Sequence, residues 1–105
     1  MIMIANPARG EAELSVGGRA MRIRPSFAAL VAAEGEVGPL LTLVDRAAEG
    51  RLTLAEIEAL LWHCLADRPD GLDREMLGEG LLDQGIGAAM PPLRMILRQI
   101  LAGGK

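Results

Sequence analysis

Two consecutive glycines, Gly17 and Gly18, separate two short stretches in which apolar and polar residues alternate. The tightest antiparallel hairpin turns require positive φ angles at both central residues, and glycine adopts these angles without steric cost. A turn at these glycines places Leu14 opposite Met21 and so determines the other pairs. One face of the predicted hairpin, residues 11–24, then carries an apolar set: Ala12, Leu14, Val16, Met21 and Ile23.

The other face of the hairpin sets Glu13 against Arg22 and Glu11 against Arg24. A slip of one residue would bury these charges, so the turn and the pattern agree on a single register. We predict cross-strand ion pairs here and favour them over phosphate contacts for the arginines.

Two helices are predicted after the hairpin. Ser26 can cap the first helix, which residues 35–38 interrupt. Pro39 suits the first position of the second helix, and Gly50 suits the left-handed position after its end. The predicted apolar faces of the two helices are Phe27, Leu30 and Val31, and Leu40, Leu41, Val44 and Ala48.

A third and a fourth helix follow. Thr53 and Glu56 form a capping box, which marks the start of the third helix. Asp70 is the predicted cap of a fourth helix that extends through about Gln84, where Gly78 and Gly80 either weaken the helix or permit close packing. The predicted apolar face of the third helix is Leu54, Ile57, Leu61, Cys64 and Leu65.

A last helix is predicted from Pro91-Pro92, because the apolar residues after it recur at i, i+3, i+4, i+7 and i+8. This apolar stripe either completes a helical core or docks onto another protein, and the sequence leaves both readings open. Trp62 lies beside the apolar face of its own helix, where a core position is favoured over a partner contact. The candidate partner-binding residues are therefore Leu93, Ile96, Leu97, Ile100, Leu101 and Trp62.

The length of 105 residues predicts a single domain, 1–105. The predicted fold class is α+β and mostly α, with an N-terminal two-stranded antiparallel hairpin packed on four to five short helices. The hairpin covers about 11–24, the helical region about 26–102 and a frayed tail 103–105. An isolated hairpin is marginal in water, so its apolar face must lie on helices or on another chain.

The composition of the chain restricts the kinds of partner that we expect. A net charge of −3 argues against an unaided nucleic-acid binder, which needs a basic surplus to neutralise phosphates. No stretch approaches the ~18 to 20 apolar residues of a membrane span. Cys64 is the only cysteine, so no intrachain disulfide can form. We expect a cytoplasmic protein with neither a nucleic-acid nor a membrane partner.

His63 and Cys64 are consecutive residues with reactive side chains. Neighbours on a helix point about 100° apart, which places the thiol on the apolar face and a solvated imidazole on the polar one. The two side chains cannot act as a catalytic pair, so we expect a buried thiol and no zinc or thiol chemistry.

Two groups of acidic residues have similarly simple explanations. Asp67, Asp70 and Asp73 lack the alternating spacing of a calcium loop. Glu34 and Glu36 lack surroundings that would raise a pKa for acid–base work, so we interpret them as a solvated helix end. The sequence therefore predicts no catalytic, cofactor-binding or metal-binding residues, and we expect that the protein is not an enzyme.

Several short motifs, in this order and spacing, resemble a known family over roughly the first two thirds of the chain. The family comprises the small gene transfer agent and phage tail proteins of the tail assembly chaperone group, also described as tail tube proteins. The motifs are Asn6-Pro7 with Arg9-Gly10-Glu11, Gly18-Arg19, Arg24-Pro25-Ser26-Phe27 with Ala29-Leu30, Glu34, and Glu49-Gly50-Arg51-Leu52.

The resemblance implies a non-enzymatic tail assembly chaperone. Such a protein would bind the tape measure protein, the tail tube protein or both in the cytoplasm of the producing bacterial cell, and would be absent from the mature particle. A homo-oligomer is a further expectation. Two alternatives remain open: a structural tail component retained in the particle, and a small DNA-binding regulator that uses Arg19, Arg22 and Arg24.

Overall fold

The computed structural model describes residues 11–102, and the predicted frayed tail lies outside them. The described chain forms three strands, five α-helices and one 3₁₀ turn, which confirms the predicted α+β, mostly α class. In chain order these are β1 (Ala12–Val16), β2 (Arg19–Ile23), α1 (Phe27–Val37), α2 (Leu40–Ala48), α3 (Leu54–Cys64), β3 (Leu65–Ala66), α4 (Arg74–Gln84), the 3₁₀ turn (Ile86–Ala89) and α5 (Met90–Ala102).

The hairpin has the predicted register. Leu14 lies opposite Met21 and Val16 lies opposite Arg19. Gly17 and Gly18 have φ angles of 59° and 78°, as the tight turn requires. The apolar face is buried as predicted, most completely at Leu14, Met21 and Ile23.

The sheet contains a third strand that the sequence did not predict. The helix α3 ends at Cys64, and Leu65–Ala66 pair with Ile23 and Arg22 as β3. Leu65 is therefore not on the helix face where the periodicity placed it. The backbone N–H of Arg24 donates to the carbonyl of Cys64 over 2.7 Å. The chain just after β2 thus provides a hydrogen-bond donor for a carbonyl at the end of α3.

Helix caps are partly as predicted. The Ser26 hydroxyl accepts from the Ala29 N–H, and the Thr53–Glu56 capping box is formed at α3. α1 continues through the predicted interruption and ends only before Gly38, whose φ is 90°.

The predicted cap of α4 is wrong. Asp73, not Asp70, accepts from the Met76 N–H over 2.8 Å. Asp70 lies instead in the preceding turn, which the Leu72 N–H closes onto the Pro69 carbonyl. Either aspartate is an acceptable cap residue, so residue type alone could not choose between them.

The core lies between the apolar face of the sheet and helices α3, α4 and α5. The interior side of α3 differs from the prediction, because Ala59 and Leu60 are fully buried whereas Leu54 is 60% exposed at the helix start. The largest fully buried side chains are Leu14, Ile23, Leu43, Leu60, Leu61, Leu77, Leu81, Ile96 and Cys64.

No single helix in the 11–102 region is long and apolar enough to cross a membrane. Helices α1 and α2 meet that test only as a pair, with a bend of 78° between them.

At Gly80, α4 packs directly against the hairpin. A Cβ atom at Gly80 would lie 2.3 Å from Cγ1 of Val16, which is buried and has a stiff, β-branched side chain. Gly78, two residues earlier, has room, because the nearest atom to its Cβ would be Cγ of Glu58 at 3.9 Å. Close packing therefore accounts for Gly80 and not for Gly78.

These two glycines give a matched stability prediction. Gly80→Ala should lower the free energy of unfolding by about 1–3 kcal/mol through overpacking. Gly78→Ala should raise it by about 0.4–1 kcal/mol, since alanine restricts the unfolded chain and favours helix. Urea unfolding of both variants beside the parent protein measures the difference. Equal effects of the two substitutions would contradict the close contact.

Candidate functional site

The helix α1 presents its largest apolar side chains to solvent. Phe27 is 84% exposed and Val31 is 50% exposed, so the predicted inward face of Phe27, Leu30 and Val31 is wrong except for the partly buried Leu30. α1 packs on α3 with a side that contains the fully buried Ala33. Apolar residues surround most of this helix, and its alanine side allows the closer approach to α3.

The helix α2 also leaves one large apolar residue outside. Leu40 and Leu43 are buried, whereas Leu41, part of the predicted apolar stripe, is 63% exposed. The Glu34 carboxylate accepts from the Leu40 N–H over 3.0 Å and so caps α2 from the preceding helix. This bond holds the corner between α1 and α2.

An apolar groove of about 350 Å³ opens between α1, α2 and α5. We call it the α1–α2–α5 groove. Its lining residues are Pro25, Phe27, Leu30, Val31, Glu34, Leu40, Leu41, Gln99 and Ile100.

Gln99 contributes a polar atom to this groove. Its Oε1 is buried and accepts no hydrogen bond from the residues that the structure describes. A buried acceptor without a donor costs roughly 1–3 kcal/mol.

A second apolar groove runs between α2 and α5, on the other side of these two helices. We call it the α2–α5 groove. It consists of two connected cavities of about 250 and 330 Å³, both of which include Ala47, Arg94 and Leu97. The other lining residues are Val44, Ala48, Arg98 and Leu101 at one end, and Gly50, Leu52, Ile57, Ile86, Met90 and Leu93 at the other.

The predicted partner-binding residues of α5 are divided between core and surface. Leu93 is 3% exposed and Ile96 is fully buried, so both serve the core of the chain itself. Ile100 lines the α1–α2–α5 groove, while Leu97 and Leu101 line the α2–α5 groove.

The structure does not bring Trp62 to either groove. Its ring is half-buried at the edge of the core, and the Arg68 guanidinium stacks 4.2 Å from the ring centroid. Trp62 was predicted to occupy a core position, and it is only partly buried there. Arg68 covers the outer face of its ring.

Four polar side chains link α1, α3 and α4. Arg74 donates two hydrogen bonds of 2.7 Å to Glu36 and two further bonds to Glu58. His63 Nε2 lies 2.8 Å from Glu36 Oε1, and its side chain is 19% exposed. The predicted solvated imidazole is therefore wrong. Glu36 lies in the last turn of α1 and is exposed, as predicted, but its carboxylate is ion-paired. The hydrogen bonds from Arg74, and then from His63, lower the pKa of Glu36 to about 2.

A second ion pair joins α2 to α3. The Arg46 guanidinium binds the Glu56 carboxylate, which also accepts from the Thr53 N–H in the capping box. These hydrogen bonds, chiefly that from Arg46, lower the pKa of Glu56 to about 2.

The predicted ion pair between Glu13 and Arg22 is wrong, although the two residues lie opposite each other as predicted. Arg22 instead binds Asp67, which follows β3, and lies 3.9 Å from Glu11. The unpredicted strand β3 causes this change because it brings Asp67 alongside β2. Arg22 is thus committed to carboxylates of its own chain.

Two observations concern the predicted metal and thiol chemistry of the described residues. Within residues 11–102, no three His, Cys, Asp or Glu side chains gather in a set that could hold a metal ion. Burial raises the pKa of the Cys64 thiol to about 12, so the sulfur stays protonated near neutral pH.

The fold and its two grooves define a small α+β protein with exposed apolar surfaces suited to binding other proteins. The chain belongs to the family described as phage tail tube protein, GTA-gp10, whose family model matches residues 9–103. This confirms the resemblance to gene transfer agent and phage tail proteins. Neither the search of curated proteins nor the search of solved structures finds a match.

The Glu36 network gives a pH-dependent stability prediction. Because the folded-state pKa of Glu36 is lowered from 4.5 to about 2, its contribution is present above about pH 4.5 and is lost as pH falls toward 2. Glu36→Gln should lower the free energy of unfolding at pH 7 by only about 0.5–1 kcal/mol. Solvent screens this side chain, which is 39% exposed.

Urea unfolding at a series of pH values measures this effect. The difference between parent and Glu36→Gln should shrink between about pH 4.5 and pH 2. Glu13→Gln, an exposed position on β1, serves as the control and should leave the profile unchanged. A difference that stays constant down to pH 2 would show that the network does not act in this way.

Proposed function

We propose that this tail protein is a tail assembly chaperone that binds an apolar helix of the tape measure protein through the α1–α2–α5 groove. The observation that carries the proposal is Phe27, which is 84% exposed on the rim of that groove. Burying a phenylalanine side chain contributes roughly 1.5–3 kcal/mol. The chain has one phenylalanine and one tryptophan, and it does not use the phenylalanine in its own core.

The shape and chemistry of the groove suit an amphipathic helix. Such a ligand places apolar residues at i, i+3, i+4 and i+7 into a groove between helices. Phe27, Leu41 and Ile100 come from three different helices and would contact successive turns of the ligand.

The proposed role also concerns where the protein acts and whether it catalyses a reaction. A chaperone must cover an apolar helix until assembly and then release it, so we assign it to the cytoplasm of the producing cell and not to the mature particle. We assign it no catalytic activity, since the thiol of Cys64 is buried and His63 is bound to Glu36. The tail tube protein is the second candidate ligand of the same groove.

A structural role in the particle is the second candidate function. The sheet order β1-β2-β3 leaves β1 at an edge, and an edge strand can pair with another chain. This role predicts the protein in purified particles, whereas the chaperone role predicts its absence from them. A DNA-binding role gains no support, because Arg22 is bound to Asp67.

The groove can be tested with a matched pair of leucines. Leu41 and Leu54 are 63% and 60% exposed, but only Leu41 lines the α1–α2–α5 groove. Leu41→Asp should weaken capture of the co-expressed tape measure protein at least about tenfold, because it places an unpaired charge in the joint surface. Leu54→Asp should bind like the parent protein.

Pull-down of the tape measure protein, and separately of the tail tube protein, measures both variants. Thermal melting checks that each variant is folded. Equal binding by Leu41→Asp and Leu54→Asp would remove the groove from the interface. Failure of the parent protein to bind either tail protein would overturn the chaperone proposal.

A further inference from the structure

The helix α4 presents an amphipathic face to solvent. At about 100° per residue, the exposed side chains between Glu75 and Asp83 fall within an arc of about 120°. Leu82 is 66% exposed and Met76 is 48% exposed at the two edges of this arc. Three acidic residues lie between them and form no ion pair with the described residues: Glu75, Glu79 and Asp83.

The α2–α5 groove has complementary chemistry. Its floor is apolar, and Arg94 and Arg98 line it as exposed side chains. Arg94 forms no ion pair with any described residue, although it borders both cavities of the groove. The groove therefore combines an apolar channel with positive charge. The exposed face of α4 combines an apolar side chain, Leu82, with negative charge.

We propose that a second copy of this chain docks the exposed face of α4 into the α2–α5 groove. Leu82 would enter the channel beside Leu97, while Glu79 and Asp83 would approach Arg94 and Arg98. The acidic face of α4 suits the groove because the groove carries the opposite charge. Opposite charges guide association and fix its register. The proposed surfaces differ from the tape measure site, so this inference goes beyond the proposed function.

The contact is head to tail. α4 packs on α3 and β1, whereas the groove lies between α2 and α5, so the two surfaces are different parts of one chain. A heterologous contact of this kind leaves a free groove and a free α4 at the two ends of every dimer. Further copies can add until the assembly closes into a ring or extends as a filament.

Charge reversal separates the two halves of the contact. Arg94→Glu impairs the groove and keeps α4 intact, whereas Glu79→Arg impairs α4 and keeps the groove intact. Each variant alone should raise the dissociation constant for self-association at least about tenfold. Mixed together they should form a 1:1 dimer, since the α4 of the first fits the groove of the second. The two altered surfaces again carry opposite charges, so this dimer can add further copies in which the two variants alternate.

Sedimentation equilibrium over a range of concentrations, at low and high salt, measures these species. Arg19→Glu and Asp70→Arg are the controls, because they make the same charge changes at exposed positions outside both surfaces. Both controls should self-associate like the parent protein. A parent protein that stays monomeric at millimolar concentration, or a mixture that fails to form the dimer, would overturn the proposal.

Cross-linking locates the contact independently. Cysteines introduced by Leu82→Cys in one copy and Ala48→Cys in another should be joined by a short bismaleimide. The native Cys64 is buried and does not compete. Leu54→Cys with Ala48→Cys is the control pair, because Leu54 lies outside both surfaces. Cross-linking of the Leu82–Ala48 pair no faster than of this control pair would also overturn the proposal.

Discussion

The burial of one face of the hairpin is the constraint on which the rest of the structure depends. Leu14, Met21 and Ile23 are at most 3% exposed, and a hairpin of this size is marginal in water without such cover. α4 and α5 both pack on β1, and Gly80 lets α4 come into contact with Val16. Because these helices cover the sheet, no further element within residues 11–102 covers the outer sides of α1 and α2.

Much of the fold could be predicted because the relevant interactions are local. The Gly17-Gly18 turn, the Ser26 cap and the Thr53–Glu56 capping box each involve residues at most three positions apart. Features decided by distant contacts could not be predicted in this way. Strand β3 forms because the end of α3 meets β2, and Arg74, the first residue of α4, is held by Glu36 and Glu58 from two other helices.

The candidate site was predicted only in part, for a related reason. Periodicity in α5 correctly identified an apolar stripe, but it could not divide that stripe between core and grooves, since the division depends on α1 and α2. In α1 apolar residues occur on nearly every side, so periodicity could not tell which side faces outward. The His63–Glu36 contact joins residues 27 positions apart, beyond the reach of any local pattern.

Arg74 gives the two proposed binding surfaces a common support. It lies at the start of α4, whose outer face would enter a second copy, and it binds Glu36 near the end of α1, which forms one wall of the α1–α2–α5 groove. A bidentate guanidinium–carboxylate pair restricts orientation as well as distance. The same side chain therefore positions the wall of one site and the helix of the other. Because the two surfaces are separate, a chain engaged with copies of itself would still present Phe27 to a tail protein.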